Sequence, residues 1–507
     1  MRRFLAIAAA VMLALPLGAQ QRAVSRAEDA PGRVRRYIDI VAKGEALQGS
    51  VISVLAVRAG GDTVVAYGSG QRMIPASNTK LVTTGLALHE LGPDYRFETR
   101  IGCSGRIEDG VLKGDVYIIG GGDPTIGTKD TAATPLQTLF ARWKKYLSDA
   151  GIRRIEGRVI GDGRYFDGPL ESDSWAYQDL GTYYGTGGNG LSFYRNILDV
   201  QVAAGAKVGD PVKVTPSYPE LPWMQYGSLA RTSAKGTGDK LYLFNTDLAP
   251  VAEMRGTFAI DRQPKKEECS NKFGAMTCAH YFRNYLEKNG IPTGGIADVD
   301  PEGRLRSDVF QAVGTPADSI RILGSTLSPV LREIAKITND RSDNFYAETL
   351  FRALSRVGKG SADYLTARDA EAAAFRRMGL DPAQVRIVDG SGLARDNWIS
   401  PDFMCRFLRR MMDSPSFGDY AASLSSPGQP GSYATRLQNE AKDLKERILY
   451  KSGSMEGVRC YSGYIIPTDG GKEDTIVFSV MVNNCLSPSW KHLPVIDKII
   501  ALIAMEN

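Results

Sequence analysis

Along this chain the apolar positions alternate between a strand period and a helix period. Residues 51–59 and 63–67 are runs rich in β-branched side chains, joined through Gly60-Gly61-Asp62, and they predict a hairpin. Leu81, Gly85 and Leu88 then recur at helical spacing. Pro75 ends the extended approach to that helix, Ser77 stands at its start, and Gly92 marks its stop. Residues 95–116 return to strand character with a turn near Asp109-Gly110, and residues 135–147 predict one helix. From 152 to about 262 the chain is rich in short β runs, glycine and proline, and Pro216, Pro219 and Pro222 mark irregular loops. A helix is predicted over 275–288.

The texture changes after about residue 315. Helical patterns follow one another over 326–337, 343–355, 362–378 and 401–412. Three strand-like runs, 447–451, 460–466 and 475–483, precede a final amphipathic helix from Leu493. No internal repeat is visible. The order predicts a split α/β (α+β) catalytic unit, made of residues 20–95 and 315–507. The stretch 96–314 is then a β-rich insertion with two nested subdomains.

The bulk numbers agree with a globular protein. At 507 residues the chain exceeds one ordinary domain, and 43% apolar with 23% charged residues gives no sign of wholesale disorder. Residues 1–19 read as a secretory leader: Arg2 and Arg3 form its positive end, 4–17 are an apolar run too short to span a bilayer, and Leu17-Gly18-Ala19 is a small-residue cleavage site. The mature chain is expected to start near Gln20, in the periplasm or outside the cell. The residue directly after Ala19 is Gln20 and not cysteine, which argues against a lipid anchor. The amphipathic stretch 493–505 reads better as a helix on a sheet than as a membrane anchor. The net charge of +5 falls to +3 without Arg2 and Arg3, and no basic run suggests nucleic acid.

Cys269 and Cys278 are close enough in sequence to close a short loop. Cys103, Cys405, Cys460 and Cys485 are expected to be buried and free. Neither the cysteines nor His89, His280 and His492 have metal-ligand spacing, so no metal and no cofactor is expected.

The candidate chemistry begins with Ser77-x-x-Lys80. Three residues apart on a helix, the two side chains share one face. A serine hydroxyl is a poor nucleophile until a base takes its proton. Lysine serves as that base only if burial and nearby positive charge lower its pKa from about 10.4. The helix N-terminus also aims backbone N–H groups at anything bound beside Ser77. Alone, the motif is equally an N-cap followed by a solvated lysine. It is, however, the only Ser-x-x-Lys in the chain, and Ser342-Asp343-Asn344 and Lys451-Ser452-Gly453 follow it in order. Each companion also has a plain reading. Ser342 suits the N-cap of the next helix. Lys451-Ser452-Gly453 suits a strand entering a turn, and Gly390-Ser391-Gly392, near Arg395, suits a loop. Coincidence explains all three together poorly. Residues 122–129 look superficially like a phosphate loop, but the final pair is Thr128-Lys129, and Asp123 and Pro124 oppose an anion there.

Together the three motifs resemble the penicillin-binding proteins and serine β-lactamases. Ser452 stands where that family more often has threonine. The long interval from Ser77 to Ser342 resembles the type-4 low-molecular-mass penicillin-binding proteins, D-alanyl-D-alanine carboxypeptidase/endopeptidases with a large insertion at this point. Gly121-Gly122-Asp123-Pro124, Tyr165-Phe166-Asp167-Gly168, Glu348 after Ser342-Asp343-Asn344, and the run from Asp389 to Arg395 agree with the same group.

The resemblance implies a penicillin-binding-protein/β-lactamase-like catalytic domain that acts on peptidoglycan stem peptides and is inhibited by β-lactams. By it, Ser77 attacks the D-Ala–D-Ala carbonyl, Lys80 takes the Ser77 proton, and Ser342 relays a proton to the leaving amine. Asn344 holds Lys80 or the substrate. Lys451 brings positive charge to the substrate's terminal carboxylate. Ser452 and Ser454 bind that carboxylate and the substrate backbone beside Gly453, with Arg395 as a further pocket residue. The N–H groups of Ser77 and Ser454 form an oxyanion hole, where each donor contributes about 3–4 kcal/mol in comparable hydrolases.

Three rival readings stand beside this one. A class A β-lactamase needs a Glu-x-x-Leu-Asn-type loop for deacylation, and none follows Ser342. A non-catalytic peptidoglycan-binding scaffold fits poorly with intact Ser77, Lys80, Ser342 and Lys451. An esterase fits the insertion and Ser342-Asp343-Asn344 less well.

Overall fold

The computed structural model of the protein describes residues 32–296, 319–356, 362–430 and 433–506. The leader expected over residues 1–19 lies outside the described residues. Among those described, no helix is long and apolar enough to cross a membrane.

A five-stranded antiparallel sheet forms the frame. Its order is Ile448–Met455, Val458–Ile465, Ile476–Asn483, Val51–Arg58, Thr63–Tyr67, so the predicted hairpin completes a sheet begun at the other end of the chain. The middle strand, Ile476–Asn483, is buried along its whole length. Its side chains alternate between two cores, as the period of two requires. Ile476, Phe478, Val480 and Val482 pack with helices Arg33–Val41 and Ser489–Ala504 on one face. Val477 and Met481 pack on the other face with a helical layer that includes Thr79–Leu91, Asn344–Arg356 and Pro401–Met412. Helix Arg33–Val41 escapes a periodicity reading, because only Val34 and Ile38 are buried in a segment that carries three arginines.

Between these pieces the chain builds a seven-stranded mixed sheet under helices Leu136–Asp149 and Gly274–Lys288, with its own core. A four-stranded and a three-stranded sheet enclose a further core. The chain returns through strand Arg321–Leu327, which pairs antiparallel with Glu98–Cys103, so the seven-stranded sheet continues beyond residue 315. The helix expected over 326–337 is instead Leu331–Asp340. Pro329 explains the delay: it has no N–H and keeps Ser328 out of the helical region. The Ser328 hydroxyl accepts from the Phe97 N–H, tying this exit to the entry of the inserted segment.

All six cysteines are buried and free, which corrects the expectation of a Cys269–Cys278 loop. Cys269 lies on strand Lys265–Ser270 and Cys278 on helix Gly274–Lys288, and their side chains belong to two different cores.

Candidate active site

Three segments distant in sequence meet at Ser77. The residue sits in a single 3-10 turn, Ala76–Asn78, leading into helix Thr79–Leu91. Two glycines permit the approach. A Cβ on Gly453 would lie 2.4 Å from the Pro75 carbonyl oxygen and 2.9 Å from the Asn78 nitrogen. A Cβ on Gly392 would lie 1.9 Å from the Ala76 carbonyl oxygen, and Gly392 has a φ of +81°. Both side-chain-free positions let backbone press on the turn.

The five residues expected to carry the chemistry come together. Lys80 is fully buried, which overturns the solvated reading. Its Nζ lies 3.0 Å from Ser77 Oγ, 2.7 Å from Asn344 Oδ1 and 2.7 Å from the Ser391 carbonyl oxygen. A neutral amine has two N–H bonds and one lone pair. Asn344 Oδ1 and the Ser391 carbonyl are pure acceptors, so they take both N–H bonds and leave the lone pair for the Ser77 hydroxyl proton. Burial lowers the Lys80 pKa and Lys451 lowers it further, while Glu348, Asp389 and Asp343 oppose them; the result is about 7. Burial also brings Lys451 down to about 7, against Asp340. Lys451 Nζ donates to Ser342 Oγ at 2.9 Å and to the Ser452 carbonyl at 2.7 Å.

Ser342 is not the N-cap of the following helix. Asp343 Oδ1 accepts from the Tyr346 N–H at 3.1 Å and takes that role. Ser342 instead adopts a φ of +54°, in the left-handed region, with its hydroxyl beside Lys451. Glu348 lies buried beneath the site, where its carboxylate accepts from the N–H groups of Gly390 at 3.1 Å and Ser391 at 2.7 Å. It thereby fixes the carbonyl that holds Lys80. Burial, with Asp389 nearby, raises its own pKa to about 7 against those hydrogen bonds.

The Lys451 strand forms one wall and the edge of the sheet. Tyr450 N–H donates outward to the Ser425 carbonyl at 2.9 Å, and Ser452 N–H reaches the Tyr433 hydroxyl at 3.3 Å. By strand alternation the Ser454 N–H points to the same free edge, at the cleft beside Ser77. The Ser452 hydroxyl also lies 3.3 Å from that of Tyr433. Ser454 and Arg395 both line the cleft, and Arg395 donates to the Glu456 carbonyl at 3.4 Å.

The cleft has a volume of about 500 Å³. Its opposite wall comes from the inserted segment, through Gln178, Asp179, Tyr183, Tyr184 and Arg195. No local pattern in the sequence marks these residues, nor Tyr433. Among the described residues no group of His, Cys, Asp and Glu is arranged to hold a metal ion.

The chain matches the model of the D-Ala-D-Ala carboxypeptidase 3 (S13) family over residues 34–503. It is 26% identical to the D-alanyl-D-alanine carboxypeptidase of Actinomadura sp. (strain R39) over 476 residues, 90% of this chain and 82% of that protein. The crystal structure of penicillin binding protein 4 (dacB) from Haemophilus influenzae superposes with a TM-score of 0.76 at 19% identity, covering 94% of this chain and 99% of the other. A structure of the same relative complexed with a β-lactam superposes with a TM-score of 0.70 at 19% identity, over 92% and 98% of the two chains. The mixed α+β architecture is that of penicillin-binding protein 4. The chain belongs to the D-Ala-D-Ala carboxypeptidase 3 (S13) family of serine peptidases.

Proposed function

We propose that the protein is an exported serine carboxypeptidase and/or endopeptidase that cleaves D-Ala–D-Ala-type bonds of peptidoglycan stem peptides through an acyl-enzyme on Ser77. The observation that carries this reading is the Lys80 amine, 3.0 Å from Ser77 Oγ, with its other two partners both acceptors. Neutral Lys80 takes the Ser77 proton as Oγ attacks the substrate carbonyl. The oxyanion is held by the N–H groups of Ser77 and Ser454. The C–N bond then breaks, and the leaving amine gains a proton through Ser342, which is resupplied from Lys451 or Lys80. Lys451 faces the substrate's terminal carboxylate with its charge, and Ser452, Ser454 and Arg395 bind the substrate around it. Water hydrolyses the ester and restores Ser77. The leader-like residues 1–19 support export to the periplasm or beyond. The β-lactam-bound relative supports β-lactams as inhibitors that acylate Ser77.

Intact-mass spectrometry after incubation with a labelled penicillin tests the reading. The wild-type protein is expected to gain one lasting adduct, and Ser77→Ala none. Rapid turnover of the drug without an adduct would make the protein a β-lactamase. No reaction in either would leave a peptidoglycan-binding scaffold.

A further inference from the structure

We infer that the inserted segment is a working part of the catalytic centre, because Arg195 and Asp130 clamp the Arg341–Asn344 turn in the one arrangement that serves Lys80 and Lys451. The inference rests on the roles proposed above for Ser77, Lys80, Ser342 and Asn344.

The turn caps the preceding helix, with the Ser342 N–H donating to the Asn339 carbonyl at 3.3 Å and the Asp343 N–H to the Thr338 carbonyl at 3.0 Å, but these backbone bonds leave the Ser342 and Asn344 side chains unfixed. It runs from helix Leu331–Asp340 to helix Asn344–Arg356, and Ser342 stands in the left-handed region, a conformation that costs a non-glycine residue about 1–2 kcal/mol. Contacts from the insertion surround it. Arg195 forms an ion pair with Asp343, the residue between the two catalytic side chains and itself almost wholly buried. Asp130, also buried, bonds with one oxygen to the Arg341 guanidinium and with the other to the Tyr346 hydroxyl. The turn is therefore held at residues 341 and 343, on both sides of Ser342.

Asn344 is oriented from the same side. Its Nδ2 donates to the Tyr184 carbonyl at 2.9 Å. A carbonyl only accepts, so this contact assigns Nδ2 outward and leaves Oδ1 to face Lys80. The Tyr184 segment is anchored in turn by buried Lys272, whose Nζ donates to the Gly185 carbonyl at 2.6 Å and pairs with Glu171 at 2.9 Å.

The presentation of Arg195 is itself unusual. Tyr194, Arg195 and Asn196 are three consecutive non-glycine residues with φ of +52°, +56° and +51°. The Asn196 side chain holds this left-handed turn, accepting from the Phe193 N–H at 3.2 Å and donating to the Gly187 carbonyl at 3.3 Å. Strain of this kind persists where the surroundings over-determine it, and here it delivers a guanidinium to the base of the Ser342 turn. The contact runs from Arg195 Nη2 to Asp343 Oδ2, and Oδ2 has no hydrogen-bond partner among the described residues, so the pair acts mainly through charge. Arg195 and Asp130 are thus positioning residues: they act on the reaction through Ser342 and Asn344.

The test is steady-state D-alanine release from a D-Ala–D-Ala peptide, together with the rate of penicillin acylation, in Arg195→Gln, Arg195→Lys, Asp130→Asn and Ser77→Ala full-length proteins. Arg195→Gln is expected to melt close to the wild type yet lose kcat and acylation rate by about 100-fold, the scale of a 1 Å misplacement, with KM little changed. Arg195→Lys, which keeps the charge, is expected to recover most of the loss, and Asp130→Asn to fall in the same direction as Arg195→Gln. Wild-type kcat in folded Arg195→Gln and Asp130→Asn, beside a dead Ser77→Ala, overturns this inference alone. Equal losses in Arg195→Gln and Arg195→Lys that follow a lowered melting temperature also overturn it, since they mark a structural role. If Arg195→Gln does not fold, Asp130→Asn decides by the same two criteria. A Ser77→Ala protein that still releases D-alanine overturns the nucleophile assignment, and with it this inference.

Discussion

In the proposed mechanism Lys80 is the base, and its protonation sets the pH response. The base must be neutral to act. Burial and Lys451 lower its pKa to about 7, whereas Glu348, Asp389 and Asp343 pull it back up. Deprotonated Lys80 therefore accumulates as pH rises through 7, while Lys451, also brought to about 7, loses the charge that faces the substrate carboxylate, so penicillin acylation is expected to rise, pass through a maximum near pH 7 and then fall. Glu348 gains charge over the same range, which opposes Lys80 deprotonation and broadens the rise. Glu348→Gln removes that charge, so the midpoint is expected to move down by about one pH unit. Acylation rates measured across about pH 5 to 9 check this; an upward or absent shift would mean that Glu348 acts only by holding the Gly390–Ser391 loop.

At the scale of elements, the site depends on an edge strand pressed against a turn. Ile448–Met455 has one neighbour in the sheet, and its other edge looks onto Ser77. Gly453 makes this contact possible, because any side chain there would meet Pro75 and Asn78. Gly453→Ala must push strand and turn apart. Its expected cost is about 1–3 kcal/mol in stability and about 100-fold in acylation rate, read by a thermal melt and by penicillin labelling. A wild-type acylation rate would show that the strand shifts without disturbing Lys451 or the Ser454 N–H.

For the whole molecule, the two faces of the five-stranded sheet divide the work. One face carries the helices and turns of the site, while the other rests on Arg33–Val41 and Ser489–Ala504. Ile500 lies fully buried on that second face. Ile500→Ala is expected to cost about 2–5 kcal/mol in urea unfolding, while the folded protein keeps its acylation rate. A large kinetic loss in the folded variant would show instead that the far face communicates with the site. The sheet itself is closed by pairing residues 51–58 with 483–476, strands more than 400 positions apart in sequence.

What the sequence by itself determined is what local periodicity and spacing encode. The hairpin, helix Pro401–Met412 and the three closing strands follow from apolar positions at periods of 2 and 3.6. Ser77 and Lys80 share a helix face because they stand three residues apart, and the order of the three motifs already pointed to the family. The tertiary structure alone decided that Lys80 is buried and near neutrality, since its partners Asn344 and Ser391 are 264 and 311 residues away. It also decided that Asp343 rather than Ser342 caps its helix, that Cys269 and Cys278 enter separate cores, that Tyr184 and Arg195 line the cleft, and that buried Asp130 and Tyr433 bond to Arg341 and Ser452. None of these follows a period or a motif. Desolvation, charge pairing and hydrogen-bond direction depend on which distant groups the fold brings within a few ångströms, and local sequence carries no term for that distance.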